Sequence, residues 1–500
     1  MTNNTALSAM IGQIQSTGQI AENVTFIYEE HKEIFLPYLQ KYRYGDVYHA
    51  ALVLWQRIAL QFLGIDFNEY FSNATKPTAR NLFLIVVSIL ALDIFRSVRF
   101  AHRHVLSKLS DTSLNAYYYA LKTDRLDHES WRDVTLSKAL KAVPKQLAVQ
   151  PLFLSIDDTM VEKEGEKFEL RSKLFDHAAH NGSNYLNGHC MVSILLSFPV
   201  LADGSIRYIS VPLGYRLWDK KQTKLEIAAE MVRHAVDSIG SDRQVFLLCD
   251  SWYPKGCVAG LVDEYENLDI ICNARIDTVM YDLPPERTGK RGRPKKFGER
   301  LSPEDFVLDS PKTGDWKIGV RPVLTRLWSG RVVYAVVTLP KSGNGSRRLF
   351  FCTKNPESIN LDYGRCEDDT IREYGEENKQ FLPLACYSTR WNIEISYYES
   401  KTFWSLEEYR VRSRKGIERL INLECIAYSA MTLLPYSDET FSCYQSVSAQ
   451  ETKFGFGQQI QASIIFSSFV ESLETVKKAQ SFIKIIEGYV LSGFKKVQKL

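Results

Sequence analysis

Two short apolar runs each end in an aspartate, and this pattern narrows the fold more than any other feature of the 500 residues. Residues 151–156, with Leu152, Phe153, Leu154 and Ile156, lead directly into Asp157, Asp158 and Thr159. Residues 244–249, with Val245, Phe246, Leu247 and Leu248, lead directly into Asp250, Ser251 and Trp252. Short runs of this kind, bounded by turn formers, read as strands buried on both faces of a sheet. An acid placed where such a strand leaves the core stands at the carboxyl edge of the sheet, where open α/β folds put their ligands.

A third acidic position lies far downstream. Within 386–401, Tyr387, Arg390, Glu394 and Lys401 are spaced so that one helix presents all four in an arc of roughly 60°. A carboxylate flanked by an Arg fork and a Lys point charge suits a divalent cation with phosphates beside it. The plainer reading of Arg390 and Glu394 is an i,i+4 surface ion pair. Two aspartates at strand ends upstream favour the site.

The Tyr-x2-Arg-x3-Glu-x6-Lys spacing, preceded by Asp-Asp-Thr and Asp-Ser-Trp, resembles the DDE transposases of bacterial insertion sequences, in the group defined by that motif. The likeness covers about residues 150–435. It implies an α/β, ribonuclease H-like, mixed five-stranded sheet with flanking helices. It further implies that Asp157, Asp250 and Glu394 are the catalytic carboxylates and bind two Mg2+ ions, for which Mn2+ can substitute. In that family the first Asp precedes a Thr or Ser by two residues, which selects Asp157 over Asp158; a strand shifted by one residue would swap them. Hydrolysis needs a deprotonated water in line with the leaving oxygen, and ions about 3.5 to 4 Å apart serve both. Asp157 is the expected shared ligand, with Asp250 and Glu394 holding one ion each. Tyr387, Arg390 and Lys401 are expected on phosphates of the terminal nucleotides. The activity implied is binding of terminal inverted repeats in double-stranded DNA, strand cleavage, and transfer to target DNA by a homodimer. A catalytically inactive DNA-binding descendant is the alternative.

The same likeness orders the chain into a helical DNA-binding region (1–145), a first catalytic part (146–276), a mostly β insertion subdomain (277–380), a second catalytic part (381–435) and a helical carboxyl-terminal region (436–500). The residues agree. Strands are expected over 188–197, 207–212 and 268–272, and a helix over 224–239, where Ile227, Ala228, Met231, Val232 and Ala235 recur at helical steps. The insertion begins with the densest basic run, where Arg291, Arg293, Lys295 and Lys296 are expected to contact DNA; a solvated loop is the bland alternative. Further basic groups follow at 96–104 and 409–415. Trp252 and Trp391 stand near carboxylates and suit stacking on a displaced base, though core packing is the commoner fate of a Trp. An amphipathic helix is expected over 475–500.

Composition sets the setting. A net charge of +3 makes DNA binding a matter of local patches. Nine cysteines without a Cys-x2-Cys pair read as reduced thiols, with no zinc expected. Histidines such as His177, His180 and His189 lack metal-box spacing. The amino terminus does not look like a signal peptide, and the most apolar stretch, 82–92, is too short to span a bilayer. The expected setting is bacterial cytoplasm, on the nucleoid, without membrane attachment.

Overall fold

The computed structural model describes residues 67–175, 184–285, 295–312, 314–437 and 439–474. Residues 1–66, His177, His180, Arg291, Arg293 and the amphipathic segment 475–500 lie outside the described residues.

The amino-terminal part is helical: α1 (Lys76–Ala91), α2 (Leu114–Lys122) and α3 (Ser130–Ala142). Pro77 sits in the first turn of α1, where its missing N–H costs nothing. Leu82, Ile85, Val86 and Ile89 of α1 are fully buried. A helix apolar on most of its circumference belongs inside a protein, and α1 packs among the carboxyl-terminal helices.

The sheet follows. Its first strands are β1 (Leu152–Glu162), β2 (Ser172–Phe175), β3 (Tyr185–Ala202) and β4 (Ser205–Leu217). Helix α4 (Lys224–Ile239) is launched by a capping box, in which Thr223 Oγ1 accepts from Glu226 N–H at 3.2 Å and Glu226 Oε2 from Thr223 N–H at 2.7 Å. Then come β5 (Val245–Cys249), α5 (Gly256–Glu264) and β6 (Leu268–Ala274). Strand β5 lies parallel between β1 and β6, while β3 runs antiparallel beside β1 and β4 antiparallel beside β3. The sequence-expected strands are thus adjacent, in the order β4, β3, β1, β5, β6.

The sheet does not stop at five strands. Short β7 (Met280–Tyr281) and β8 (Arg300–Leu301), then β9 (Trp316–Thr325), β10 (Val332–Pro340) and β11 (Arg348–Cys352), continue it. Phe351 of β11 pairs with Cys272 of β6, so the inserted strands extend one eleven-stranded sheet. The strands of the expected β-rich insertion are thus joined edge to edge with the central sheet. The reason is the open edge of β6, whose N–H and C=O groups need partners, and β11 supplies them.

Alternation along the central strands gives the sheet two cores. Leu154, Ile156, Leu247 and Cys249 pack with α4 and α5; Phe153, Phe246 and Leu248 pack on the opposite face. That second face is covered by α6 (Asp369–Glu377) and α7 (Leu382–Ser388). Helix α8 (Trp391–Thr402) follows, then α9 (Arg414–Ser437), buried along most of its length, and α10 (Ala449–Glu474) against α1. No helix among the described residues is long and apolar enough to cross a membrane.

Candidate functional site

Strands β1 and β5 are in register from Leu152 with Val245 to Ser155 with Leu248. Two steps beyond that last pair stand Asp157 and Asp250; β5 ends just before Asp250, whereas β1 runs on past Asp157 to Glu162, so the expected strand end at Asp157 is instead a mid-strand position held by pairing with β3. Asp157 lies opposite Ser193 of β3. Asp250 Oδ1 accepts the backbone N–H of Trp252 at 3.0 Å, which fixes the turn after β5.

The consecutive aspartates have opposite fates because neighbouring strand residues face opposite sides. Asp158 is saturated. Its Oδ2 accepts from Lys224 Nζ at 2.8 Å and from Cys190 Sγ at 3.3 Å, and its Oδ1 accepts from Lys224 Nζ and Tyr253 Oη, each at 2.9 Å. Asp157 faces α8 instead. One of its oxygens accepts the N–H of Asp158 at 2.8 Å, and the other lies 3.3 Å from Arg390 Nη1. Arg390 Nη2 also donates to Glu394, so one guanidinium spans the two carboxylates. Burial, aided by the negative charge of Asp250, pushes the Asp157 carboxyl up to about 7 against the pull of its backbone N–H bond and Arg390.

The downstream motif is not carried on one unbroken helix, as its spacing suggests. Helix α7 ends at Ser388 and α8 starts at Trp391. Between them, Thr389 N–H bonds to Cys386 C=O at 3.1 Å and Arg390 N–H to Tyr387 C=O at 3.0 Å, a tighter three-residue winding. Tyr387 packs edge-on against Phe350, and the Arg390 guanidinium lies 5.9 Å from its ring. Lys401 reaches back to β1, donating to Met160 C=O at 2.9 Å, and pairs with Glu407 at 3.1 Å. Arg390 and Glu394 therefore join the Asp157 cluster, Tyr387 backs it through Arg390, and Lys401 anchors farther along the strand. Lys295 and Lys296 are exposed next to β8, which has five strands between it and β5 in the sheet. They do not join the cluster.

Residues 69–317 match the family model of the DDE superfamily endonucleases. The match supports a DDE transposase-type catalytic domain. The match includes Asp157 and Asp250 and ends before Glu394. No curated protein matches the chain.

DDE endonucleases generally work with divalent metal ions. Among the described residues, no three His, Cys, Asp or Glu side chains already form a group that could hold an ion. In this structure the guanidinium of Arg390 lies between Asp157 and Glu394 instead. The donor chemistry nevertheless fits a hard cation, since carboxylate oxygens are the ligands Mg2+ prefers. Asp157, whose carboxyl is pushed up by burial and by the neighbouring charge of Asp250, fits as well, since a bound cation would offset both. Admitting an ion requires Arg390 to let go of at least one carboxylate.

Two contributors to the candidate site escaped sequence reasoning. Tyr397 Oη lies 2.6 Å from Ser193 Oγ, beside Asp157. Its position three residues after Glu394 puts both on one helix face, a signal that was available. Lys224 opens α4, and the capping box locates it, but nothing local names Asp158 as its partner.

Proposed function

We propose that this chain is a transposase of the Tyr-Arg-Glu-Lys group, which binds the inverted terminal repeats of its own element and performs Mg2+-dependent strand cleavage and strand transfer. The reading is supported by one observation: the Arg390 guanidinium bridges Glu394 and Asp157, far apart in sequence, and Asp157 stands on the strand whose parallel neighbour leads into Asp250. Asp157, Asp250 and Glu394 would hold the ions. Bound there, divalent ions supply the Lewis acidity that phosphodiester hydrolysis requires.

The side chains supply the rest. Arg390, released from its carboxylates, presents a planar fork matched to phosphate oxygens. Tyr387 limits where that fork can swing by lying under it. The Tyr397 and Ser193 hydroxyl pair holds α8 against β3 and so fixes the approach of Glu394 to Asp157. Trp391, 61% exposed next to Arg390, is free to stack on a base displaced at the cut. Recognition of the ends falls to the helical amino-terminal region, and bringing two ends together calls for a homodimer on DNA. The setting of that reaction is the bacterial cytoplasm, at the nucleoid.

The test uses full-length protein and DNA bearing the inverted repeats that flank its reading frame. With Mg2+ or Mn2+ the wild type should nick at the repeat boundary. Glu394→Gln should bind the same DNA and leave it intact. Binding without any metal-dependent nicking by the wild type would instead identify an inactive descendant.

A further inference from the structure

Three basic segments, separate in sequence, are drawn together beside the candidate site. The loop after β4 carries Trp218, Asp219, Lys220 and Lys221; α4 opens with Lys224; and the turn after Asp250 carries Trp252 and Lys255. Arg414, at the start of α9, reaches the first of these by pairing with Asp219 at 2.9 Å. Lys224 Nζ lies 4.8 Å from the ring centre of Trp252 and 5.8 Å from that of Trp218. Lys255 Nζ lies 4.6 Å from the Trp252 ring, and Lys220 Nζ 5.7 Å from the Trp218 ring.

The charge balance on this ridge is one-sided. Asp219 is neutralised by Arg414 and Asp158 by Lys224. Lys220, Lys221 and Lys255 are exposed, and no carboxylate pairs with them among the described residues. Positive charge is therefore left in excess beside an indole that is itself 39% exposed. The loop is held firmly: Asp219 Oδ1 accepts from Lys221 N–H at 3.0 Å, and Lys220 takes a left-handed φ of 63° that a Lys adopts only under constraint.

We propose that this ridge seats a DNA strand adjoining the cleavage point, with Lys220, Lys221 and Lys255 on its phosphates and Trp252 stacked on an unpaired base. The assignment rests on the transposase reading for the identity of the nucleic acid. Charge complementarity and continuity with Asp250, two residues before Trp252, give it its place. Exposed lysines beside a partly exposed aromatic ring are the arrangement that tracks a strand without reading its sequence.

The experiment measures binding in EDTA, so that it is independent of cleavage. The probes are a blunt duplex of unrelated sequence and the same duplex with a single-stranded 3′ extension, each titrated at several salt concentrations. Lys220→Glu combined with Lys221→Glu should weaken both probes about tenfold and reduce the salt slope by about 2. The milder Lys220→Gln with Lys221→Gln should move both in the same direction. Trp252→Ala should weaken the extended probe by about tenfold and leave the blunt duplex nearly unchanged. Unaltered affinity and slope in both lysine pairs, with the wild type still nicking DNA, would overturn the ridge alone. A wild type that binds both probes as described yet never nicks would overturn the transposase reading and leave the ridge standing.

Discussion

Lys224 Nζ lies 2.8 Å from Asp158 Oδ2, with the carboxylate side chain only 14% exposed. Of two consecutive aspartates, one is thereby neutralised within the fold, and only Asp157 faces the Arg390 cluster. The pair also ties the start of α4 to β1, while the Tyr253 bond ties the turn after Asp250 to the same carboxylate.

Lys224→Met should leave Asp158 semi-buried without its cation. Breaking one side of such a pair costs roughly 3 kcal/mol. Lys224→Arg should recover most of it. Chemical denaturation is the measurement, and a methionine variant as stable as the wild type would remove the pair from the account.

Arg390→Ala should change how the protein meets a divalent cation. With no guanidinium between Asp157 and Glu394, the carboxylates repel one another, and the metal-free melting temperature should fall. Added Mg2+ no longer competes with an internal cation, so the concentration giving half of the thermal shift should drop by about tenfold, equivalent to roughly 1.4 kcal/mol. DNA cleavage should fall together with that gain. Equal midpoints for variant and wild type would mean that Arg390 does not guard the site.

Gly188→Ala tests the pairing of the strand that carries Asp157. A Cβ at position 188 would lie 2.0 Å from the carbonyl oxygen of Val161. No rotamer relieves this, because both partners are backbone, and β1 must move off β3. The expected cost is about 1 to 3 kcal/mol. An unchanged denaturation midpoint would contradict the register.

Glu129 joins three elements. It accepts from Arg132 at 2.8 Å, next to the start of α3, and from Arg216 of β4 at 3.0 Å, while Arg216 also binds Glu230 of α4 at 2.7 Å. Burial pushes its carboxyl up, but the two arginines outweigh that and bring it down to about 2. A depressed acid stabilises the fold above its unfolded value of 4.5, and that contribution is lost as the pH falls toward 2. Allowing for partial solvent screening, the loss is of the order of 2 kcal/mol. Glu129→Gln should be less stable at neutral pH and flatter than the wild type between pH 4.5 and 2. Parallel acid curves for the two proteins would show that the ion cluster contributes little.

Much of the architecture was legible along the chain, because burial periodicity and capping depend on residues a few positions apart. The strands that lead into Asp157 and Asp250, the helix over 224–239 and the proximity of Arg390 to Glu394 are local patterns of this kind, although the first strand runs on to Glu162. The tertiary fold decided what local pattern cannot encode. It turned Asp158 to Lys224 and Asp157 to Arg390, joined β11 to the edge of β6, and gathered Lys220, Lys255 and Arg414 onto one ridge. Each of these outcomes depends on partners distant in the chain, and a hydrogen bond or charge pair is chosen by proximity after folding, not by spacing before it.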